Sequence, residues 1–248
     1  MKRSFLLPLL WFPLILGAQE NYVENIGVEN GLPQSEVNDL IQDSRGFIWV
    51  GTSSGVGVFD GLDFKVYDAT NGLGGDIVTC VAEGPEGNVF VGTTWGGVSV
   101  YDGIRFLPLS IKEGLNSSYV HDLFTHNEKL FILTSRGVCT YANGEIQECA
   151  DFPASESKID PVGLALDLNN ELVCFASTGL YNVSEGSITL REEGNYSVYF
   201  ADKATSSTFT VIDGSLSWNN DKLGGAEPSK ALGTPVLEQC SDILRDRD

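Results

Sequence analysis

The sequence has few of the residues that build catalytic and metal centres. Its 248 residues include two histidines and five cysteines. No C-x-x-C pair, H-E-x-x-H segment, calcium loop or phosphate-binding loop occurs, so the motifs that mark metal and nucleotide sites are missing. After the first twenty residues no apolar run is long enough to cross a membrane. The sequence therefore predicts no metal, no cofactor and no membrane span in the mature chain.

Positive charge is also scarce, with 15 Lys and Arg against 34 Asp and Glu. The chain opens with Lys2 and Arg3, continues through an apolar stretch, and reaches small residues at Gly17 and Ala18. This order is typical of a secretory signal peptide, with an uncleaved anchor as the alternative. Cleavage after Ala18 would leave an exported chain with a formal charge of −21. Such a surface repels nucleic acid, which is excluded as a partner.

The five cysteines are irregularly spaced and odd in number. Export permits disulfides, but this spacing is unlike a disulfide framework, so buried free thiols are the expected state. One pair, Cys139 and Cys149, flanks the turn Asn143-Gly144 and could face each other across two strands. The sequence leaves open whether these two residues are bonded.

A repeat of about 41 residues organises the chain. Gly31-Leu32, Gly72-Leu73 and Gly114-Leu115 open three similar units, spaced by 41 and 42 residues. A fourth unit is weaker, and a fifth keeps only short strand-like runs. In the first unit, residues 37–42, 47–52, 56–59 and 64–67 are rich in β-branched and aromatic residues, which predicts four strands.

A turn signal recurs in register between the third and fourth runs of the units. It reads Asp60-Gly61, Asp102-Gly103, Asn143-Gly144 and Glu185-Gly186. Asp-Gly and Asn-Gly pairs tolerate positive φ, so the column predicts a two-residue hairpin turn.

Four-stranded antiparallel units repeated in tandem are typical of β-propeller blades, whereas a β-sandwich does not require so regular a repeat. The predicted fold is all-β: an incomplete β-propeller of about five blades plus one strand. The predicted segments are a signal peptide at 1–18, an N-terminal strand of the closing blade at 19–30, blades at 31–71, 72–113, 114–157, 158–194 and 195–235, and the first strand of a truncated blade at 236–248.

The last residues repeat the start of the first unit. Residues 240–248 align with residues 37–45, and residues 22–32 resemble the fourth strand and exit of a blade. Strands from both termini commonly share one blade of a propeller. Because the second and third strands of that blade are missing, we expect the sequence to be the N-terminal piece of a longer protein.

The repeat resembles the two-component-regulator propeller family. The residues that carry the match and are expected to support blade packing and turns are Trp49, Gly51, Thr52, Asp60 and Gly61 in the first unit, and Gly92, Thr93, Asp102 and Gly103 in the second. The second unit departs from the pattern, with Cys80 and Phe90 in place of Asp39 and Trp49. The match weakens further in later units.

The resemblance implies a sensor exported to the periplasm or outer surface of a Gram-negative bacterium. In such proteins the propellers precede an immunoglobulin-like domain, one membrane span and an output module, often a histidine kinase. It also implies a parent protein that can dimerise, and an oligosaccharide or another periplasmic ligand as partner. The alternative is an exported scaffold or adhesion propeller without signalling output.

Ligand contacts are expected from non-repeating residues in loops on one propeller face. These are Gln34, Ser35, Trp95, Asn116, Tyr119 and Arg136. Trp95 is the leading candidate because an aromatic ring can stack on the apolar face of a sugar, and a packing role is its alternative. Residues 51–55 match the G-x-S-x-G spacing of a hydrolase, but that motif requires a strand-to-helix turn. No catalytic residue is predicted.

Overall fold

The computed structural model describes residues 25–154, 159–184, 186–202, 207–212 and 215–220. Within them, nineteen strands form four four-stranded sheets and one three-stranded sheet, and neighbouring strands in each sheet are antiparallel. Each sheet follows chain order, so each is a meander. The first strands of successive sheets pack against one another. The predicted all-β propeller architecture is confirmed.

The sheets are called blades 1 to 5 in chain order. Blade 1 contains β1 Val37–Gln42, β2 Ile48–Thr52, β3 Gly55–Phe59 and β4 Phe64–Tyr67. Blade 2 contains β5 Val78–Glu83, β6 Val89–Thr93, β7 Val98–Tyr101 and β8 Phe106–Leu109. Blade 3 contains β9 Val120–His126, β10 Lys129–Thr134, β11 Gly137–Ala142 and β12 Glu145–Asp151. Blade 4 contains β13 Pro161–Leu166, β14 Leu172–Ala176, β15 Gly179–Ser184 and β16 Ser187–Glu193. Blade 5 contains β17 Tyr196–Asp202, β18 Ser207–Ile212 and β19 Ser215–Asn220.

The glycines that open the repeats end short 3-10 helices. Val28–Asn30 is followed by Gly31 with φ 101°, and Ile111–Glu113 by Gly114 with φ 112°. Positive φ favours glycine, which explains why the repeat begins with this residue. The predicted strand at 19–30 is described only from residue 25, and that part contains a 3-10 helix instead. The predicted signal peptide and the predicted strand at 236–248 lie outside the described residues.

Glycine at the end of the second strand lets neighbouring blades approach closely. A Cβ atom on Gly51 would lie 2.7 Å from Val78 Cγ1, and one on Gly92 would lie 2.8 Å from Val120 Cγ1. Both valines begin the first strand of the following blade and are fully buried. A larger residue at either glycine would force the blades apart, because packed cores absorb little extra volume.

Two aspartates in first strands bind the next blade. Asp39 Oδ2 accepts the backbone N–H of Val81 at 2.8 Å, and Asp122 Oδ2 accepts that of Leu164 at 2.8 Å. Each aspartate lies at or beside a β-bulge that interrupts the ladder of its strand. Cys80 occupies the same position in blade 2, so the joint between blades 2 and 3 lacks this carboxylate.

Asp43 organises the turn between β1 and β2. Its Oδ1 accepts the backbone N–H groups of Arg45 and Phe47 at 3.0 and 2.9 Å. Its Oδ2 accepts Trp49 Nε1–H at 3.0 Å and forms an ion pair with Arg45 at 2.7 Å. Burial alone would raise the pKa of Asp43, but these hydrogen bonds outweigh it and hold the pKa below its ordinary value.

The hairpin turns differ between blades. In blade 3, Asn143 and Gly144 have φ of 53° and 85° and form the predicted two-residue turn. In blades 1 and 2 the prediction is wrong, since four residues connect the strands. There Asp60 Oδ1 accepts the backbone N–H groups two and three residues later, and Asp102 does the same. The carboxylate closes a longer loop, so only the following glycine needs positive φ.

Cys139 and Cys149 form a disulfide across the hairpin of blade 3. They are directly opposed in the β11–β12 register, with a Cα–Cα distance of 4.0 Å. The structure therefore decides the pairing that the sequence left open. Cys80 and Cys174 are free and buried, as expected. The fifth cysteine, Cys240, lies outside the described residues.

Candidate functional site: an aromatic platform on the upper face

All six predicted ligand residues lie in the loops of one propeller face, here called the upper face. It comprises the connections between blades and the loops between second and third strands. Trp95 follows β6 in blade 2, Tyr119 precedes β9, and Arg136 follows β10. The opposite, lower face carries the loops between first and second strands and the hairpin turns.

Three aromatic rings contact one another in series on the upper face, and this set is here called the aromatic platform. Trp95 is 73% exposed, and its ring meets that of Tyr119 edge to face at a centroid distance of 5.6 Å. Tyr119 in turn stacks on His121, with centroids 4.5 Å apart and planes 28° apart. The platform thus joins a loop of blade 2 to the first strand of blade 3.

His121 was missed by sequence reasoning, although its position could have indicated it. Tyr119 and His121 are two residues apart in an extended segment, and such residues share a face of the strand. Burial lowers the pKa of His121, and the nearby Asp160 offsets this only in part. The imidazole is therefore neutral at pH 7, so the platform ends in an uncharged ring with Asp160 beside it.

Asn116 and Arg136 are brought together by a residue outside the predicted set. Asp151 accepts hydrogen bonds from Asn116 Nδ2 and Arg136 Nη2, each at 2.8 Å. Asn116 Oδ1 also accepts the hydroxyl hydrogen of Thr134 at 2.6 Å. These contacts tie the loop before β9 to the end of β12. Both predicted residues therefore have structural partners within blade 3.

Gln34 and Ser35 lie in the segment that precedes β1. Gln34 Oε1 accepts a hydrogen bond from Ser54 Oγ at 3.2 Å, and Ser35 is exposed. The structure therefore places the six predicted residues in three groups. Trp95 and Tyr119 share the aromatic platform, Asn116 and Arg136 share Asp151, and Gln34 and Ser35 belong to blade 1.

The G-T-x-x-G segments build turns between two strands. Thr52 Oγ1 donates to the carbonyl of Gly55 at 2.9 Å and accepts the N–H of Ser54 at 3.1 Å. Thr93 makes the same donation in blade 2. In blade 3, Thr134 Oγ1 lies 3.0 Å from the carbonyl oxygen of Gly137, while its shorter contact is with Asn116. All three threonines are fully buried. The G-x-S-x-G spacing at residues 51–55 is thus part of a strand–turn–strand unit, which differs from the strand-to-helix elbow of hydrolases.

Metal sites and membrane-spanning helices are two further features to consider in the described part of the chain. Among the side chains that the structure describes, no group of three or more His, Cys, Asp or Glu residues is placed to hold a metal ion. Within the same part of the chain, no helix combines the length and apolar character needed for a membrane crossing.

Sequence comparison identifies the repeat. Residues 31–54 match the model of the family described as two component regulator propeller. The matched residues, which include β1 and β2 of blade 1, are similar to the repeat of that family. The resemblance predicted from Trp49, Gly51 and Thr52 is confirmed. A curated relative, histidine kinase P4 of Formosa agariphila, is 53% identical over 38 residues, which are 15% of this chain and 3% of the kinase.

Solved structures share the propeller fold. The extracellular domain of BT3049 from B. thetaiotaomicron, described as a hybrid two-component system, aligns with a TM-score of 0.67 and 19% identity. The alignment covers 82% of this chain and 31% of that domain. A catalytically inactive virginiamycin B lyase from Staphylococcus aureus aligns with a TM-score of 0.59 and 16% identity over 79% of this chain and 71% of the lyase. At such identities the likeness shows the fold alone.

Proposed function

We propose that this chain is the extracytoplasmic ligand-sensing region of a two-component signalling protein, with no catalytic activity of its own. The observation that carries the proposal is the aromatic platform, in which the exposed ring of Trp95 meets the half-buried rings of Tyr119 and His121, on a chain whose first repeat matches regulator propellers. The ligand class that fits best is an uncharged oligosaccharide, which stacks on Trp95 and Tyr119.

The chemistry of the platform favours a neutral ring over an ion. Trp95 offers a largely exposed ring, and sugar rings carry apolar C–H faces that stack on aromatic side chains. The neutral imidazole of His121 and the carboxylate of Asp160 can hydrogen-bond sugar hydroxyls at one end of the platform. Anionic ligands would be repelled, because acidic residues outnumber basic ones 34 to 15 in the whole sequence.

The disulfide supports an exported location. The bond between Cys139 and Cys149 persists in oxidising compartments, such as the periplasm and the cell surface, and is rare in the cytosol of mesophiles. The acidic composition agrees with a soluble exported domain. The proposed location is therefore the periplasm or outer surface of a Gram-negative bacterium.

Binding to an array of neutral and anionic oligosaccharides tests the ligand class. The wild-type chain should bind neutral members weakly, with dissociation constants of about 1 mM, because one stacking subsite yields roughly 4 kcal/mol. Trp95→Ala should reduce that binding about 10-fold or more, because it removes the most exposed ring.

Leu62→Ala is the matched control for this experiment. Leu62 is 86% exposed and lies in the β3–β4 turn of the lower face, so its removal also deletes exposed apolar area. Its affinity should equal that of the wild type. Preferential binding of anionic members, or equal loss in both variants, would contradict the proposed site.

A further inference from the structure

A crevice of about 230 Å³ lies on the lower face, between the turns of blade 2 and those of blade 3. It is lined by the rings of Phe90 and Tyr141, which meet edge to face at a centroid distance of 5.0 Å. It is also lined by two exposed glutamates, Glu86 in the β5–β6 turn and Glu128 in the β9–β10 turn. These four residues are here called the acidic crevice. Pockets for drug-sized ligands measure roughly 300–1,000 Å³, so only a smaller group fits here.

The equivalent place between blades 1 and 2 holds two cations of the chain itself. Trp49 and Tyr101 form the corresponding edge-to-face pair there, with ring centroids 5.3 Å apart. Lys65 Nζ lies 4.9 Å from the centroid of the Tyr67 ring, which contacts the ring of Tyr101. Burial raises the pKa of Tyr101, and the positive charges of Lys65 and Arg45 oppose this rise. An ammonium and a guanidinium group thus lie near these rings.

Between blades 2 and 3 the charge beside the rings is reversed. Glu86 occupies the repeat position of Arg45, and Leu107 occupies that of Lys65. Burial raises the pKa of Tyr141, and the Glu86 carboxylate raises it further. Within the described residues, neither glutamate of the acidic crevice forms an ion pair. The aromatic pair therefore faces negative charge here, whereas its counterpart between blades 1 and 2 faces positive charge.

We propose that the acidic crevice binds the primary ammonium group of a small organic amine. The ammonium lies against the ring of Tyr141, as that of Lys65 lies against Tyr67, because the face of an aromatic ring attracts a cation. Its N–H groups donate to the carboxylates of Glu86 and Glu128. The acidic crevice is on the lower face, so this proposal is independent of the aromatic platform and of the function proposed for it.

The lining of the crevice favours a primary amine over other cations. Asn88 and Asn143 line it too, so amide oxygens accompany the two carboxylates as hydrogen-bond acceptors. A primary ammonium has three N–H donors for these oxygens, whereas a quaternary ammonium has none. The buried ring of Phe90 offers apolar surface to the alkyl chain. The excess of acidic over basic residues, 34 to 15 in the whole sequence, further favours a cation.

Titration of the full chain with n-butylammonium, followed by amide NMR, tests the proposal. The resonances of the acidic crevice should shift with a dissociation constant of about 1–10 mM, as expected for one cation–π contact and two exposed ion pairs. Butan-1-ol has a similar shape without the charge and should bind about 10-fold or more weakly. Tetramethylammonium keeps the charge without N–H donors and should bind about 3-fold or more weakly.

Two pairs of substitutions separate the crevice from the general charge of the protein. The double variant Glu86→Gln, Glu128→Gln should weaken n-butylammonium binding about 5-fold or more, because both carboxylates are lost. The double variant Glu171→Gln, Glu193→Gln changes the net charge equally at two exposed positions of blade 4, and its affinity should stay within about 2-fold of the wild type. Tyr141→Leu should weaken binding about 3-fold or more through loss of the ring.

Three results would overturn the proposal. One is the lack of saturable shifts at the acidic crevice up to about 100 mM n-butylammonium. Another is equal weakening in the two glutamine double variants, because the general charge of the protein would then attract the amine. The third is tighter binding of Nα-acetyl-lysine methylamide than of n-butylammonium by about 10-fold or more, which would assign the crevice to a lysine side chain of a partner protein.

Discussion

Blades 1 and 2 have the same arrangement of four strands, but different side chains fill the space between the second strand and the turn that precedes it. In blade 1, Trp49 is 1% exposed and donates its indole N–H to Asp43. In blade 2, Phe90 replaces the tryptophan and is also 1% exposed, while Gly84 replaces the aspartate. A Cβ atom on Gly84 would lie 2.3 Å from Phe90 Cε2. The phenylalanine therefore occupies space that the aspartate needs.

The comparison shows that the repeat changes by linked substitutions. A buried indole N–H requires an acceptor, and a buried carboxylate requires donors, so neither residue of the pair is favourable without the other. Blade 4 keeps the aspartate with a new partner: Asp167 accepts two backbone N–H groups and pairs with Arg191 at 2.9 Å. The aspartate in the turn between the first and second strands is thus present in the blades that also supply a side-chain donor for it.

The largest predicted effect is that of Asp43→Ala. It leaves the buried Trp49 N–H and two turn N–H groups without their acceptor, so the free energy of unfolding should fall by about 3 kcal/mol. Urea denaturation followed by tryptophan fluorescence measures this. Asp63→Ala, an exposed position in the β3–β4 turn, should change stability by less than about 0.5 kcal/mol. Equal effects of the two variants would show that the Asp43 network is dispensable.

A second prediction transfers the blade 1 pair into blade 2. Gly84→Asp and Phe90→Trp should each destabilise the protein, by about 1–3 kcal/mol, through overpacking and through an unpaired indole N–H. In the double variant the new indole can donate to the new carboxylate. The double-mutant cycle should then give a favourable coupling of about 1 kcal/mol or more. Additive losses would mean that the two blades differ in more than this pair.

The pH dependence of stability should separate the blades as well. The pKa of Asp43 lies below the ordinary 3.8 in the folded protein, because its hydrogen bonds outweigh the effect of burial. A lowered folded pKa contributes stability that is present above pH 3.8 and is lost as the pH falls through the folded value. The melting temperature of the wild type should therefore decline more steeply below pH 4 than that of Asp43→Asn. If the melting temperatures of the wild type and of Asp43→Asn declined in parallel below pH 4, the acid sensitivity would come from other carboxyl groups.

The disulfide of blade 3 should contribute a smaller amount. Its loop spans ten residues, for which the chain-entropy model gives about 2.7 kcal/mol. The Asn143-Gly144 turn already restricts this hairpin in the unfolded chain, so the double variant Cys139→Ala, Cys149→Ala should lose about 1–2 kcal/mol. Thermal unfolding with and without a thiol reductant measures the effect. A reductant response that persists in the double variant would place the sensitive bond elsewhere.

Sequence reasoning predicted the elements that depend on local pattern. The four strands of blade 1 were predicted to within one residue at each end, because β-branched runs and turn residues alternate regularly there. Sequence reasoning failed where one side chain determines the turn. The Asp60-Gly61 pair is compatible with a two-residue hairpin, but the Asp60 carboxylate accepts two backbone N–H groups and closes a four-residue loop instead.

For the candidate site, the sequence predicted that the six residues lie on one propeller face, but it did not predict which of them contact one another. Trp95 and Tyr119 are 24 residues apart, and only the stacking of blades 2 and 3 brings their rings together. The spacing of two residues places His121 beside Tyr119, but nothing in the sequence indicates that Trp95 meets the same pair. Asp151, which binds Asn116 and Arg136, falls outside the repeated turns and gave no signal.

Calorimetry across a salt series tests the central claim most directly. The protein is titrated with the neutral oligosaccharide bound best on the array, at sodium chloride concentrations from about 20 to 500 mM, over which charge interactions are strongly screened. If ring stacking on Trp95 and Tyr119 provides the binding energy, the dissociation constant should change by less than about 2-fold. A steep weakening with salt would contradict the account, because charge interactions and not ring stacking would then provide the binding energy.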